Sequence, residues 1–159
     1  MTASDFEVDL DSAESILEIT GWCLRADERL NEEKPWDGFV VLTGFEEAHA
    51  AMQAWRFVGE ETLPTGVNIA NPAFNLDVME RLRELTADPE RGEWQTWVIL
   101  YDLASDSFDH IFLWPGEDAG YNVIGYDTPM STIEALNPAH PAEEPQWLTA
   151  ARGKPPVSG

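Results

Sequence analysis

Cys23 is the only cysteine among the 159 residues. No disulfide can form within the chain, so the fold relies on packing alone, and a reducing cytoplasm is the simplest expected home. Cations are scarce as well: nine Lys and Arg stand against thirty Asp and Glu, for a formal charge of −21. A chain this acidic repels phosphate backbones and anionic lipid headgroups. Direct nucleic-acid binding and membrane docking are therefore not expected. No apolar run approaches the roughly 20 residues that span a bilayer. The start, Met1 to Asp5, has neither the basic residues nor the apolar stretch of a secretory signal.

The motifs of common chemistries are also missing. His49, His110 and His140 show no HxH or HExxH spacing. There is no GxSxG elbow, no GxxxxGK[ST] loop and no GxGxxG turn. Asp102, Asp106 and Asp109 form a carboxylate series without the twelve-residue calcium-loop pattern. Turn-favouring acids at a hairpin tip account for them. The expectation is a non-enzyme with no metal and no cofactor.

What the chain does have is a core. Hydrophobic residues make up 43%, with seven Trp and seven Phe. That is enough apolar surface for one folded domain, which a disordered acidic chain could not build. The domain is expected over 1–137, with a Pro-rich tail over 138–159 anchored at Trp147 and Leu148. Charge is unevenly spread: six acids precede Arg25 without any cation, and ten acids lie between Gly92 and Ala151 with no Lys or Arg.

Spacing predicts a helix over Ser12–Leu30, weakened by Gly21, then a polar loop to Gly38. Phe39–Thr43 is a short buried strand. Phe45, Ala48, Met52 and Trp55 share a helical face, predicting a second helix to Phe57. Glu60–Pro72 reads as a loop with an extended piece at Val67–Ile69. Asn75 caps a helix running to Thr86. Trp94–Leu103 and Phe108–Trp114 form an antiparallel hairpin around an Ala104–Ser107 turn. Phe108, His110, Phe112 and Trp114 alternate with Asp109, Ile111 and Leu113 across its return strand. Val123–Tyr126 is a candidate third strand, and Pro129 opens a last helix to Leu136. The expected fold class is α+β, an antiparallel sheet (a meander with a long hairpin) packed on three to four α-helices.

The surface carries the functional expectation. Acids combined with aromatics in a Gly-rich loop suit an interface with a cationic partner. The candidates are Trp114, Glu117, Asp118 and Tyr121 in that loop, the hairpin acids Asp102, Asp106 and Asp109, and Asp127. An ordinary connection with Trp114 in the core is the competing reading.

The order of elements from Leu76 to Tyr121 is familiar. A helix carrying Arg81-Leu82-Arg83-Glu84-Leu85 leads to Glu93-Trp94-Gln95-Thr96-Trp97, then an Asp/Ser turn and an aromatic strand ending in an acidic loop. This pattern resembles the YezG-like immunity proteins, antitoxins that accompany secreted bacterial polymorphic toxins. The family's strand usually ends in an aromatic-Asp-Asp stretch, and here Trp114-Pro115-Gly116 intervenes. The resemblance implies a protein that masks a cognate toxin domain, a basic nuclease or NAD-consuming enzyme. Two alternatives stay open: an acidic DNA mimic acting against a defence protein, and a small-ligand binder or enzyme with a Trp-lined pocket.

Overall fold

The computed structural model describes residues 9–46, 49–68, 74–116, 123, 127–146 and 148. Ser12 caps helix α1 (Ala13–Arg25), its hydroxyl accepting from the Ser15 amide at 3.2 Å. The expected single helix to Leu30 breaks at Ala26, and a second helix, α2 (Glu28–Glu32), follows. Asp27 causes the break. One carboxylate oxygen accepts from the amides of Arg29 and Leu30, and the other takes the Asn68 amide at 2.9 Å. A side chain that offers the backbone these partners competes with helix continuation.

Five strands follow: β1 (Gly38–Glu46), β2 (His49–Val58), β3 (Glu61–Thr65), β4 (Thr96–Asp102) and β5 (Ser107–Leu113), with helix α3 (Leu76–Leu85) between β3 and β4. They make one antiparallel sheet in the order β3-β2-β1-β4-β5. The β4–β5 hairpin and the Asn75-capped α3 lie where the sequence places them. The α+β class and the antiparallel sheet hold. Of the four α-helices among the described residues, α1 and α3 are long, while α2 and α4 (Met130–Glu134) are five residues each.

Two further expectations fail. The helix expected over Phe45–Phe57 is strand: Phe45 belongs to β1, and the residues from His49 onward form β2. Met52, Ala54 and Val58 face one side of the sheet while Ala51, Trp55 and Phe57 face the other. The Glu60–Pro72 loop contains edge strand β3, which tolerates Pro64 because the outer side of an edge strand needs no donor. Val67 is buried beyond it. Val123 lies in a turn. Ile69, the rest of the Val123–Tyr126 strand and Trp147 lie outside the described residues.

β1 and β4 are central and enclosed on both faces, which explains the unbroken runs Phe39–Leu42 and Trp97–Tyr101. On one face α1, α3 and Trp36 cover Phe39, Val41, Phe45, Trp97, Ile99 and Phe112. On the other, Val123, Ile133, Leu136 and Leu148 from the C-terminal segment cover Val40, Leu42, Val98, Leu100 and Ile111. The layers are helices, sheet and C-terminal segment. Leu148 is fully buried, the anchoring role its sequence position suggests. Gly21 lets α1 approach the sheet, since a Cβ there would stand 3.2 Å from the Phe108 ring.

Candidate functional site

The seven described cations share one side of the molecule and are engaged there. Arg25 pairs with Asp106, Arg81 with Asp11 and Glu84, Arg83 with Glu93, and Arg91 with Asp88. Arg56, on β2, reaches back to the carbonyls and carboxylate around Glu33. Lys34 lies 5.1 Å from the Trp36 ring centroid, and the Arg29 guanidinium abuts Gly66. The C-terminal segment, 127–146, carries Asp127, Glu134, Glu143 and Glu144 with no Lys or Arg. Charge is thus segregated by layer. The helical side holds all the described cations, while the side capped by the C-terminal segment shows carboxylates.

At the hairpin tip the three expected acids part company. Asp106 sits at φ 49° in the turn, where it accepts a hydrogen bond from the Tyr101 hydroxyl and an ion pair from Arg25 Nε at 3.1 Å. Arg25 also donates to the Asp106 carbonyl and lies 5.2 Å from the Phe108 ring centroid. Asp106 therefore clasps the turn to α1, and its charge is answered internally. Asp102 accepts from the amide and hydroxyl of Ser105. Asp109, on the opposite sheet face from Phe108, has no hydrogen bond or ion pair among the described residues.

Trp114 is a correction. Its indole is buried, donates to the Gly92 carbonyl at 2.7 Å and lies under the Arg91 guanidinium at 3.9 Å. A ring so enclosed fixes the connection between α3 and the hairpin, as the competing reading of Trp114 expects. Asp127 is exposed two residues before the Pro129 cap of α4. Glu117, Asp118 and Tyr121 lie outside the described residues.

The structure adds a member that the sequence did not single out. Asp37 precedes β1, and the register pairs the next residue, Gly38, with Asp102. A Cβ on Gly38 would sit 2.3 Å from the Tyr101 carbonyl oxygen, so only glycine permits this approach. Asp37 accepts from the Gly59 amide at 2.7 Å. The C-terminal segment closes over this end of the sheet. Asn137 Nδ2 donates to the Gly59 and Glu61 carbonyls at 3.1 and 3.3 Å, and His140 Nε2 lies 3.0 Å from the Glu60 carbonyl. Pro138 then separates two depressions. One, about 150 Å³, is lined by Asp37, Phe57, Tyr101 and Asp102. The other, about 200 Å³, is lined by Leu100, Asp102, Ser107 and Asp109. The missed signal was the Asp37-Gly38 pair at the start of β1, whose importance depends on a pairing with residues far along the chain.

Reactive side chains lie elsewhere. His110 accepts from Trp97 Nε1 through Nδ1 at 3.2 Å, so the ring is neutral with its proton on Nε2. Burial pushes its pKa down to about 4. Burial, then nearby Asp27, pushes the Cys23 thiol up, away from thiolate reactivity. Neither depression is lined by a histidine or the cysteine. Among the described residues no group of three His, Cys, Asp or Glu is placed to hold a metal ion, and no helix is long and apolar enough to cross a membrane. No family model and no curated protein matches the sequence.

Proposed function

We propose that this protein is an immunity protein, which binds a cognate secreted bacterial toxin domain and blocks its cationic active site with a carboxylate-bearing surface. The observation that carries the reading is the segregation of charge. Five of the seven described cations pair with carboxylates on the helical side, and the described stretch 127–146 of the opposite layer carries acids with no Lys or Arg. Self-repulsion of this kind weakens the compact state, and a fold that retains it gains attraction for a positive counterpart. Toxins that cleave nucleic acid or consume dinucleotides have positive sites because their substrates carry phosphates. An acidic plug competes there by charge, with steering that accelerates encounter. The YezG-like order of elements from Leu76 to Tyr121 supports the same reading. No cofactor enters it.

Co-expression is the test. The chain is produced alongside the toxin domain encoded next to its gene, and survival is scored. Protection with a stoichiometric complex on gel filtration supports the proposal. Unprotected cells at equal expression overturn it.

A further inference from the structure

The two depressions beside Pro138 have a size and chemistry that point to one kind of occupant. Cofactors and drug-sized ligands occupy clefts of roughly 300–1,000 Å³. At about 150 and 200 Å³ these two are smaller, on the scale of single side chains. The wall of the first is largely apolar, formed by Phe57, Tyr101, Pro138 and Ala139, and that of the second sets Leu100 and Pro138 beside Ser105 and Ser107. Carboxylates stand at the rims: Asp37 on the first, Asp109 on the second and Asp102 on both. Apolar walls below and negative charge above match an aliphatic stem that ends in a cation.

None of the three acids is neutralised from within. No described cation pairs with Asp37, Asp102 or Asp109: Lys34 lies over Trp36, Arg91 pairs with Asp88, and Arg25 is committed to Asp106. The cleft is also held in shape before any ligand arrives. Asn137 and His140 fasten the Pro138 segment to the β2–β3 turn, and Asp37 holds the Gly59 amide. Such preorganisation limits the ordering cost of binding.

We infer that the pair of depressions around Pro138 receives arginine or lysine side chains from a basic segment of a protein partner, one side chain on each flank of Pro138. This rests on the immunity reading for the identity of the partner, and on the cleft itself for the chemistry.

The experiment is an amide chemical-shift titration of the isotopically labelled full chain with the blocked tripeptide acetyl-Arg-Gly-Arg-amide. The same peptide with citrulline in place of arginine serves as its neutral counterpart. The expected result is saturable shifts centred on the amides of Gly38, Gly59, Leu103 and Ala139, absent with citrulline. Asp109→Asn should weaken the interaction at least threefold. The Asp109 side chain makes no hydrogen bond among the described residues, so this variant keeps the fold, which retained spectral dispersion verifies. Glu14→Gln with Glu18→Gln, removing charge from exposed positions on α1, should change affinity less than twofold. Shifts spread evenly over the acidic surface, or equal weakening by the α1 variant, would overturn the inference. If the peptide binds in the cleft but co-expression gives no protection, the toxin assignment fails and the cleft stands. If cells are protected while the cleft amides stay still, the reverse holds.

Discussion

The guanidinium of Arg83 lies 4.2 Å from the ring centroid of Phe45, joining the face of α3 to the end of β1. Its Nε donates to the Trp94 carbonyl at 2.9 Å, and Glu93 stands 3.7 Å away. Burial pulls its pKa down while Glu93 and Glu80 oppose the shift. A half-buried cation that donates to a carbonyl and lies over the rings of Phe45 and Trp94 is a packing element as much as a charge.

Arg83→Ala should therefore lower unfolding free energy by about 2–3 kcal/mol, combining a charged hydrogen bond with cation–π contact. Arg83→Lys should recover less than half of that, because an ammonium lacks the flat fork. Urea denaturation of the three proteins decides it. Equal midpoints for the Lys variant and the parent would show that only the charge matters.

Two glycines, Gly38 in β1 and Gly21 in α1, should respond very differently to alanine. Gly38→Ala places a Cβ 2.3 Å from the Tyr101 carbonyl oxygen, inside the central strand pair, where backbone must move. We expect this variant to be insoluble or to lose most of its stability. Gly21→Ala meets the Phe108 ring at 3.2 Å, and a small ring shift relieves it while helix propensity improves. Its unfolding midpoint should change little, and thermal melts of both variants provide the comparison.

Stability should fall between pH 6.5 and 4 through His110. In the unfolded chain the ring titrates near 6.5, and in the native protein near 4. Between those values the unfolded state binds the extra proton. The contribution is complete above about pH 6.5 and fades as pH falls toward 4. His110→Gln keeps an acceptor for Trp97 but cannot titrate in this range. The stability advantage of the parent over this variant should shrink steadily on acidification, and a pH-independent difference would contradict the buried neutral ring.

Association with a cationic partner should slow as salt rises, since exposed charges are screened over about 8–10 Å at ordinary ionic strength. Glu117→Lys with Asp118→Lys should reduce the association rate several-fold while leaving dissociation less affected. Stopped-flow or surface-capture kinetics at two salt concentrations measure both quantities. A salt-independent rate would remove the electrostatic role.

Local signals marked some elements well. Asn75 before the stripe of Met79 and Leu82 defined α3, and the alternation from Phe108 to Trp114 defined β5, because each pattern is complete within one element. β2 was misread for a physical reason. Ala50, Ala51, Met52, Gln53 and Ala54 favour helix intrinsically, and Phe45, Ala48, Met52 and Trp55 mimic its period. Pairing with β1 on one side and β3 on the other overrides that preference. The Asp27 break was visible as a capping residue four positions before Asn31 and was masked by the apolar stripe on either side. The cleft could not be read at all, because Asp37, Asp102 and Pro138 meet only once the first and last thirds of the fold are assembled.

The position of β1 in the sheet sets an order of events during synthesis. β1 leaves the ribosome early and zips onto β2, yet its other neighbour is β4, encoded beyond Glu93. Until Asp102 has emerged, the middle of the future sheet is an open edge, with Val40, Val41 and Leu42 beside unfilled hydrogen-bonding positions. The nascent chain is thus most vulnerable to aggregation at the strand that becomes the most sheltered in the finished molecule.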